Sequence, residues 1–283
     1  MTGVGGTASG GTGHAADRVV ASHDGTPIAV FESGPMGAAP LVLVHGATAD
    51  HTAFRNLAPH LVGARRLVAI DRRGRGASGD TLPYAIAREY EDVAAVAEAL
   101  SAEHGGPVDV VGHSYGGRCA LGAATVTHAI RRVVSYEGAP PDPGAPYQRD
   151  DLVARLRARL DAGDLEGVLE RFMRAVVAMD DAGIARFRAD PVWPARVAAA
   201  PTIVRELEAE RDPAAGLEAL AGVRIPVLQV VGSESLPAFA AATRAYDARL
   251  ADGRVAVIDG AAHAAHHTHP AALASAILGF LDA

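Results

Sequence analysis

From Arg18 onward, short apolar runs alternate with longer segments of helical period. Val19, Val20 and Ala21 lead into His23-Asp24-Gly25-Thr26, and Ile28 to Phe31 follow. An Asp-Gly step between two short apolar runs predicts a β-hairpin. Six further runs, Leu41 to Val44, Leu67 to Ile70, Val108 to Val111, Val133 to Tyr136, Val227 to Val231 and Val255 to Ile258, are predominantly apolar and do not alternate. Such runs, each followed by a loop and a helical stretch, predict parallel strands covered by helices on both faces. The expected fold is α/β, a doubly wound, mostly parallel eight-stranded sheet that begins with an antiparallel hairpin.

Helices fall between the runs. Glu89 to Glu103 repeats apolar residues at Val93, Val96, Ala97 and Leu100, the spacing of one buried face. Residues 269–283 predict a closing helix with Pro270 in its first turn and Ile277, Leu278 and Leu281 on one side. Between about Pro140 and Asp212 there is no strand-like run, only amphipathic stretches such as Leu152 to Leu160 and Val168 to Met179, broken by Gly163, Pro191, Pro194 and Pro201. Helices inserted between strands 6 and 7 of an open sheet would lie over the carboxyl ends of the strands, where ligands bind, so this segment is expected to be a lid. The expected organisation is a flexible tail over residues 1–17, a core over 18–139 and 213–283, and a helical lid over 140–212.

Composition narrows the function classes. Of 283 residues, 26 are basic and 33 acidic, a net charge of −7, which argues against electrostatic nucleic-acid binding. The single cysteine, Cys119, allows neither an internal disulfide nor a cysteine-based zinc site. No run of about 18 apolar residues predicts a membrane span, and the Gly-, Thr- and Ala-rich start lacks the features of a signal peptide. A cytoplasmic protein with a small-molecule partner, and no nucleic-acid or membrane partner, is expected. Every basic residue is Arg and none is Lys, a skew without functional weight.

The strongest chemical signal is Val110-Val111-Gly112-His113-Ser114-Tyr115-Gly116-Gly117, a strand running through Gly-x-Ser-x-Gly into the helix-compatible Arg118-Cys119-Ala120-Leu121. A serine on so sharp a turn sits in strained backbone, and glycines at 112 and 116 remove side chains that would collide there. Its hydroxyl is exposed at a helix N-terminus, where backbone amides can stabilise a developing oxyanion. A serine needs a histidine base from elsewhere in the chain. Of 12 histidines, His263 is best placed, in the loop after the last strand and just before the closing helix. His266, His267 and His269 lie close by, but no cysteine and few carboxylates accompany them, so a metal site is the weaker reading.

With His45-Gly46-Ala47 after the first parallel strand, the elbow at Ser114, the late His263, and Asp71-Arg72-Arg73-Gly74-Arg75-Gly76-Ala77-Ser78 matching an Asp-x-x-Gly-x-Gly-x-Ser loop, the chain from residue 18 onward resembles the α/β-hydrolase superfamily. The resemblance implies Ser114 as nucleophile, His263 as base, and the backbone amides of Ala47 and Tyr115 as oxyanion hole. It implies a structural role for the Asp71 loop and no cofactor.

The triad acid departs from the family pattern. Where Gly-x-x-Asp is common after the lid, this chain has Gly232-Ser233-Glu234-Ser235. Two carboxylates compete. Glu137 ends the strand that follows the elbow helix, and Tyr136-Glu137 followed by Pro140 and Pro141 resembles a Tyr-Glu-Pro-Pro subgroup. Glu234 is one position early, and successive strand residues point to opposite faces, which favours Glu137. A dyad without an acid is the third alternative.

The implied chemistry is acyl transfer to water from a small ester, lactone or thioester. Carbon–carbon hydrolysis or a related lyase reaction on the same apparatus, and a binding protein with slow or no turnover, are the alternatives. Arg155, Arg157, Arg159, Arg171 and Arg174 in the expected lid read as solvated faces of helices, with an inward arginine gripping a carboxylate as the sharper possibility.

Overall fold

The computed structural model describes residues 15–142 and 151–283. The tail expected over 1–17 therefore lies, up to residue 14, outside the described residues, as do residues 143–150 of the expected lid.

The eight strands are β1 (Arg18–Ala21), β2 (Pro27–Ser33), β3 (Pro40–Val44), β4 (Arg66–Ile70), β5 (Val108–His113), β6 (Ile130–Tyr136), β7 (Val227–Gly232) and β8 (Gly253–Ile258). They form one sheet in the order β1-β2-β4-β3-β5-β6-β7-β8. Only the pairings made by β2, with β1 and with β4, are antiparallel; the rest are parallel. After β3 the chain moves outward to β4, then returns to place β5 on the other side of β3. This change of direction opens a crevice above the carboxyl ends of β3 and β5, the usual ligand position of open α/β sheets.

The helices are α1 (Ile86–His104), α2 (Tyr115–Val126), α3 (Leu152–Asp161), α4 (Leu165–Val176), α5 (Asp181–Arg188), α6 (Trp193–Ala198), α7 (Ala200–Ala209), α8 (Leu217–Leu220), α9 (Pro237–Asp247), α10 (Ala265–Thr268) and α11 (Pro270–Leu281). On one face of the sheet, α1, α2 and α8 bury Tyr90, Val93, Leu121 and Leu220 against Val42, Val110 and Val133. On the other, α11 packs Ile277 and Leu281 with Leu41, Val134 and Leu228. Buried strands without alternation follow from this double covering.

The helices between β6 and β7 enclose a core of their own, in which Leu156, Leu169, Phe172, Ile203 and Val204 meet. Ala215, Leu217 and Leu220, a few residues further on, belong instead to the core of the sheet. Helix α4 stops at Val176, short of the expected Met179, because Ala178 takes a left-handed φ of 60° that a helix cannot continue through. No helix among the described residues is long and apolar enough to cross a membrane.

Candidate active site

Ser114 stands between β5 and α2 with φ 53° and ψ −125°, a conformation non-glycine residues rarely hold unless their surroundings enforce it. The surroundings here are tight. A Cβ on Gly112 would lie 2.4 Å from the Gly116 carbonyl oxygen, and one on Gly116 would lie 2.3 Å from that of His45. Only glycine lets the turn close and β3 approach it. The Ser114 N–H donates to the Tyr136 carbonyl at 2.8 Å, which fixes the elbow to the end of β6.

Beside it, His45 is fully buried. Its Nε2 lies 3.1 Å from the Arg72 N–H and must accept from it, so Nδ1 carries the proton and donates to the Gly46 carbonyl at 2.8 Å. Burial, reinforced by the Arg72 charge, holds this imidazole well below its ordinary pKa and therefore neutral. The loop that follows presents Ala47 to the same cavities as Ser114.

Tyr115, the first residue of α2, is locked by its side chain. Its hydroxyl meets that of Tyr84 at 2.8 Å, Tyr84 donates to Glu89 at 2.8 Å, and the Arg72 guanidinium lies 4.6 Å over the Tyr115 ring. Arg72 in turn donates to Glu89 at 2.7 and 2.6 Å and to Glu206 of α7 at 2.6 Å; Arg75 also reaches Glu206 at 2.6 Å. Burial alone would depress the Arg72 pKa, but the Glu206 and Glu89 carboxylates raise it well above normal. This buried network joins the inserted helices to the loop after β4. In that loop Asp71 is also fully buried, accepting from the His51 N–H at 2.8 Å and the Ala77 N–H at 2.8 Å. A Cβ on Gly76 would fall 2.0 Å from an Asp71 oxygen, so the glycine is a steric requirement.

His263 and Glu137 meet although 126 residues separate them. The His263 Nδ1 lies 2.5 Å from Glu137 Oε2, while Glu137 Oε1 accepts from the Gly232 N–H at 2.8 Å and the Ser235 hydroxyl at 2.5 Å. Glu137 is 3% exposed and holds φ 49°. Glu234 is exposed, and its backbone N–H donates to the Ala261 carbonyl at 2.8 Å. The end of β7 and the turn after it thus supply donors to a carboxylate that directly follows β6.

Phe239 and His113 hold the His263 ring together with Glu137. The ring stacks on Phe239 with centroids 4.5 Å apart and lies 4.8 Å from the His113 ring, whose Nε2 donates to the His263 carbonyl at 2.8 Å. The Tyr136 hydroxyl donates to the Ala262 carbonyl and accepts from the Ala265 N–H at 3.0 Å. His113 and Tyr136 end β5 and β6 and Phe239 lies in α9, and none of the three is marked as functional by the sequence alone. The only available hints were the position of His113 within the elbow and of Ser235 in the usual acid slot. The neighbouring histidine rings pack against one another at a tilt, His113 and His266 with centroids 4.3 Å apart and His266 and His267 4.2 Å apart. Burial pushes the pKa values of His113 and His266 well below normal and that of His267 to about 4. Among the described residues no group of three or more His, Cys, Asp or Glu side chains is arranged to hold a metal ion.

Two spaces flank Ser114. A narrow one toward α7 is lined by Tyr115, Arg118, Ile203, Glu206 and Leu207. A cleft of about 630 Å³ toward α5 and α6 is lined by His263, Met173, Phe187 and Arg196 among others. Ala47, Ser114 and Phe172 border both, so the serine stands where a substrate spanning the two would cross.

The model of the "Alpha/beta hydrolase family" matches residues 41–276. A solved α/β hydrolase from Sphaerobacter thermophilus is 31% identical, covers 93% of this chain and 100% of its own, and superposes with a TM-score of 0.78. Among curated proteins of Mycobacterium tuberculosis, "Probable oxidoreductase EphD" is 37% identical over 102 residues, which are 35% of this chain and 17% of that protein. "Lipase LipV" is 38% identical over 88 residues, 31% of this chain and 32% of that protein. The chain therefore spans less than a third of the length of either curated relative.

Proposed function

This chain belongs to the alpha/beta hydrolase family and is an enzyme of hydrolase type, and on that premise we propose that it is a serine hydrolase acting by acyl transfer on a small ester, lactone or thioester. Ser114 is the nucleophile, His263 the base, Glu137 the acid that orients it, and the amides of Ala47 and Tyr115 the oxyanion hole. The observation that carries the reading is the 2.5 Å bond from His263 Nδ1 to the buried Glu137, in a loop that shares one cleft with Ser114. That bond places the proton on Nδ1 and leaves Nε2 free to accept.

In the first half-reaction the Ser114 Oγ adds to the substrate carbonyl while its proton passes to His263 Nε2, and Glu137 stabilises the imidazolium. The carbonyl oxygen becomes an oxyanion against the two amides, an arrangement worth about 3–4 kcal/mol per donor in comparable sites. Collapse expels the alcohol or thiol, which takes the proton from His263 and leaves an acyl-serine. Water then adds by the same route, releasing a carboxylic acid and restoring Ser114. The inserted helices act as a lid, since α4, α5 and α6 wall the cleft.

The test is intact-mass measurement after treatment with a fluorophosphonate, on the wild type and Ser114→Ala. A single adduct on the wild type alone is expected. Equal labelling of both proteins removes Ser114 from the mechanism, and no labelling of a folded wild type favours a binding protein.

A further inference from the structure

None of the five arginines conspicuous in the sequence of the inserted segment lines the cleft. Arg155 pairs with Asp151, Arg157 with Glu208, Arg159 with Asp164 and Arg174 with Glu170, and Arg171 is exposed. The guanidinium groups that do line the cleft are Arg55, Arg186 and Arg196, and the carboxylates lining it are Asp180 and Asp190. Both carboxylates are engaged. Asp190 holds Arg55 at 3.0 Å, and Asp180 caps α5 by accepting from the Gly183 N–H at 2.7 Å.

Arg186 and Arg196 are left without a carboxylate partner among the described residues. Arg186, on α5, makes no ion pair or hydrogen bond there. Arg196, on α6, is 4% exposed and makes one hydrogen bond, from Nη1 to the Thr48 carbonyl at 2.9 Å. Among the described residues its Nε and Nη2 have no hydrogen-bond partner, yet they are not sealed from solvent, unlike the buried orphan nitrogens of Arg72 and Arg75. Nε and Nη2 form the edge of a guanidinium that binds a carboxylate through two parallel hydrogen bonds. Burial lowers the Arg196 pKa, as do the nearby positive charges of Arg55 and Arg75, and Asp50 offsets this only in part. An anion in the cleft would complete that environment. Thr48 follows directly on Ala47, so such an anion would sit close to the reacting centre.

We propose that Arg196, assisted by Arg186, binds a carboxylate on the substrate, so that this enzyme acts on the ester or lactone of a short dicarboxylic acid carrying one free carboxylate. The proposal rests on the serine-hydrolase reading for its chemistry but not for its binding site. A neutral diester would enter the same cleft and leave the free edge of Arg196 facing water.

Calorimetric titration of Ser114→Ala, which cannot turn the ligand over, reads the site directly. The probes are the monomethyl esters of succinic, glutaric and adipic acid, each compared with its dimethyl diester. For at least one chain length the monoanion is expected to bind about ten- to hundred-fold more tightly, the worth of a two-point charge-assisted contact. Adding Arg196→Met is expected to bring the ratio near one, Arg196→Lys to leave it intermediate, and Arg186→Ala to lower it severalfold. Should Arg196→Met fail to fold, the other two variants carry the comparison. An arginine that served only to hold the Thr48 loop would change stability without moving the ratio. A ratio of one or less at all three lengths, or a ratio untouched in the folded variants, overturns the proposal. Turnover of the diesters by the wild type reports separately on the hydrolase reading. Diester hydrolysis without monoanion preference removes the carboxylate site alone, and preference without any hydrolysis removes the hydrolase reading alone.

Discussion

Replacing Glu137 by Gln isolates the role of one buried charge. The carboxylate accepts three hydrogen bonds, from the Gly232 N–H, the Ser235 hydroxyl and His263 Nδ1. Two of these donors meet Oε1, so the amide oxygen of a glutamine takes that place and its NH2 group faces His263. An imidazole opposite a donor must present a lone pair at Nδ1, which moves its proton to Nε2. The base can then no longer accept from Ser114. An acid-to-amide change of this kind in a serine triad costs about 10⁴-fold in kcat, equivalent to about 5.4 kcal/mol of activation free energy. The expected loss in kcat/KM is about 10³- to 10⁴-fold, with little change in melting temperature because every hydrogen bond keeps a partner. Hydrolysis of p-nitrophenyl acetate at pH 7.5, with circular dichroism to verify folding, reads both quantities. Glu234→Gln, at an exposed carboxylate, is expected to stay within about two-fold of wild type, as surface substitutions usually do. A Glu137→Gln enzyme keeping a tenth of its activity, or a larger loss at Glu234, would refute the assignment.

Ser235→Ala removes one donor to Glu137 and is expected to lower kcat about 5- to 20-fold while costing about 1 kcal/mol of stability, the usual worth of one hydrogen bond; unchanged kcat would show that the serine does not position the acid. Glu206→Gln leaves Arg75 without a carboxylate partner among the described residues and weakens the hold on Arg72, so urea unfolding is expected to show a loss of about 3–5 kcal/mol. The exposed pair of Arg157 and Glu208 is the control, expected to be worth under about 1 kcal/mol. Stability is also expected to fall with acid. His45, His113 and His266 have folded pKa values well below normal and His267 one of about 4, so between pH 6.5 and 4 the unfolded chain binds protons that the folded one does not. Each such histidine removes about 1–2 kcal/mol between pH 7 and pH 5, and a urea midpoint that rises over that interval would contradict the burial of these rings.

Much of this protein is legible along the chain because the physics involved is local. Eight strand runs, the helix after β4 and the closing helix follow from period and burial, which act over a few residues at a time. The elbow is local too, since Gly112 and Gly116 declare a turn too tight for side chains, and Ser114 lies between them. The sheet order and the choice of acid are different in kind. Glu137 and Glu234 are equivalent as residue types, and side-chain alternation only tilts the choice; the pairing of β6 with β7 turns the end of β7 into a set of donors around Glu137. The same holds for the arginines. Composition announces many in the inserted segment, but whether a guanidinium meets solvent, a carboxylate or an empty cleft depends on how its helix is rolled against the others. Local sequence determines backbone conformation because steric and solvation terms are short-ranged along the chain, whereas charge partnerships are settled by distances that arise only once remote segments have packed.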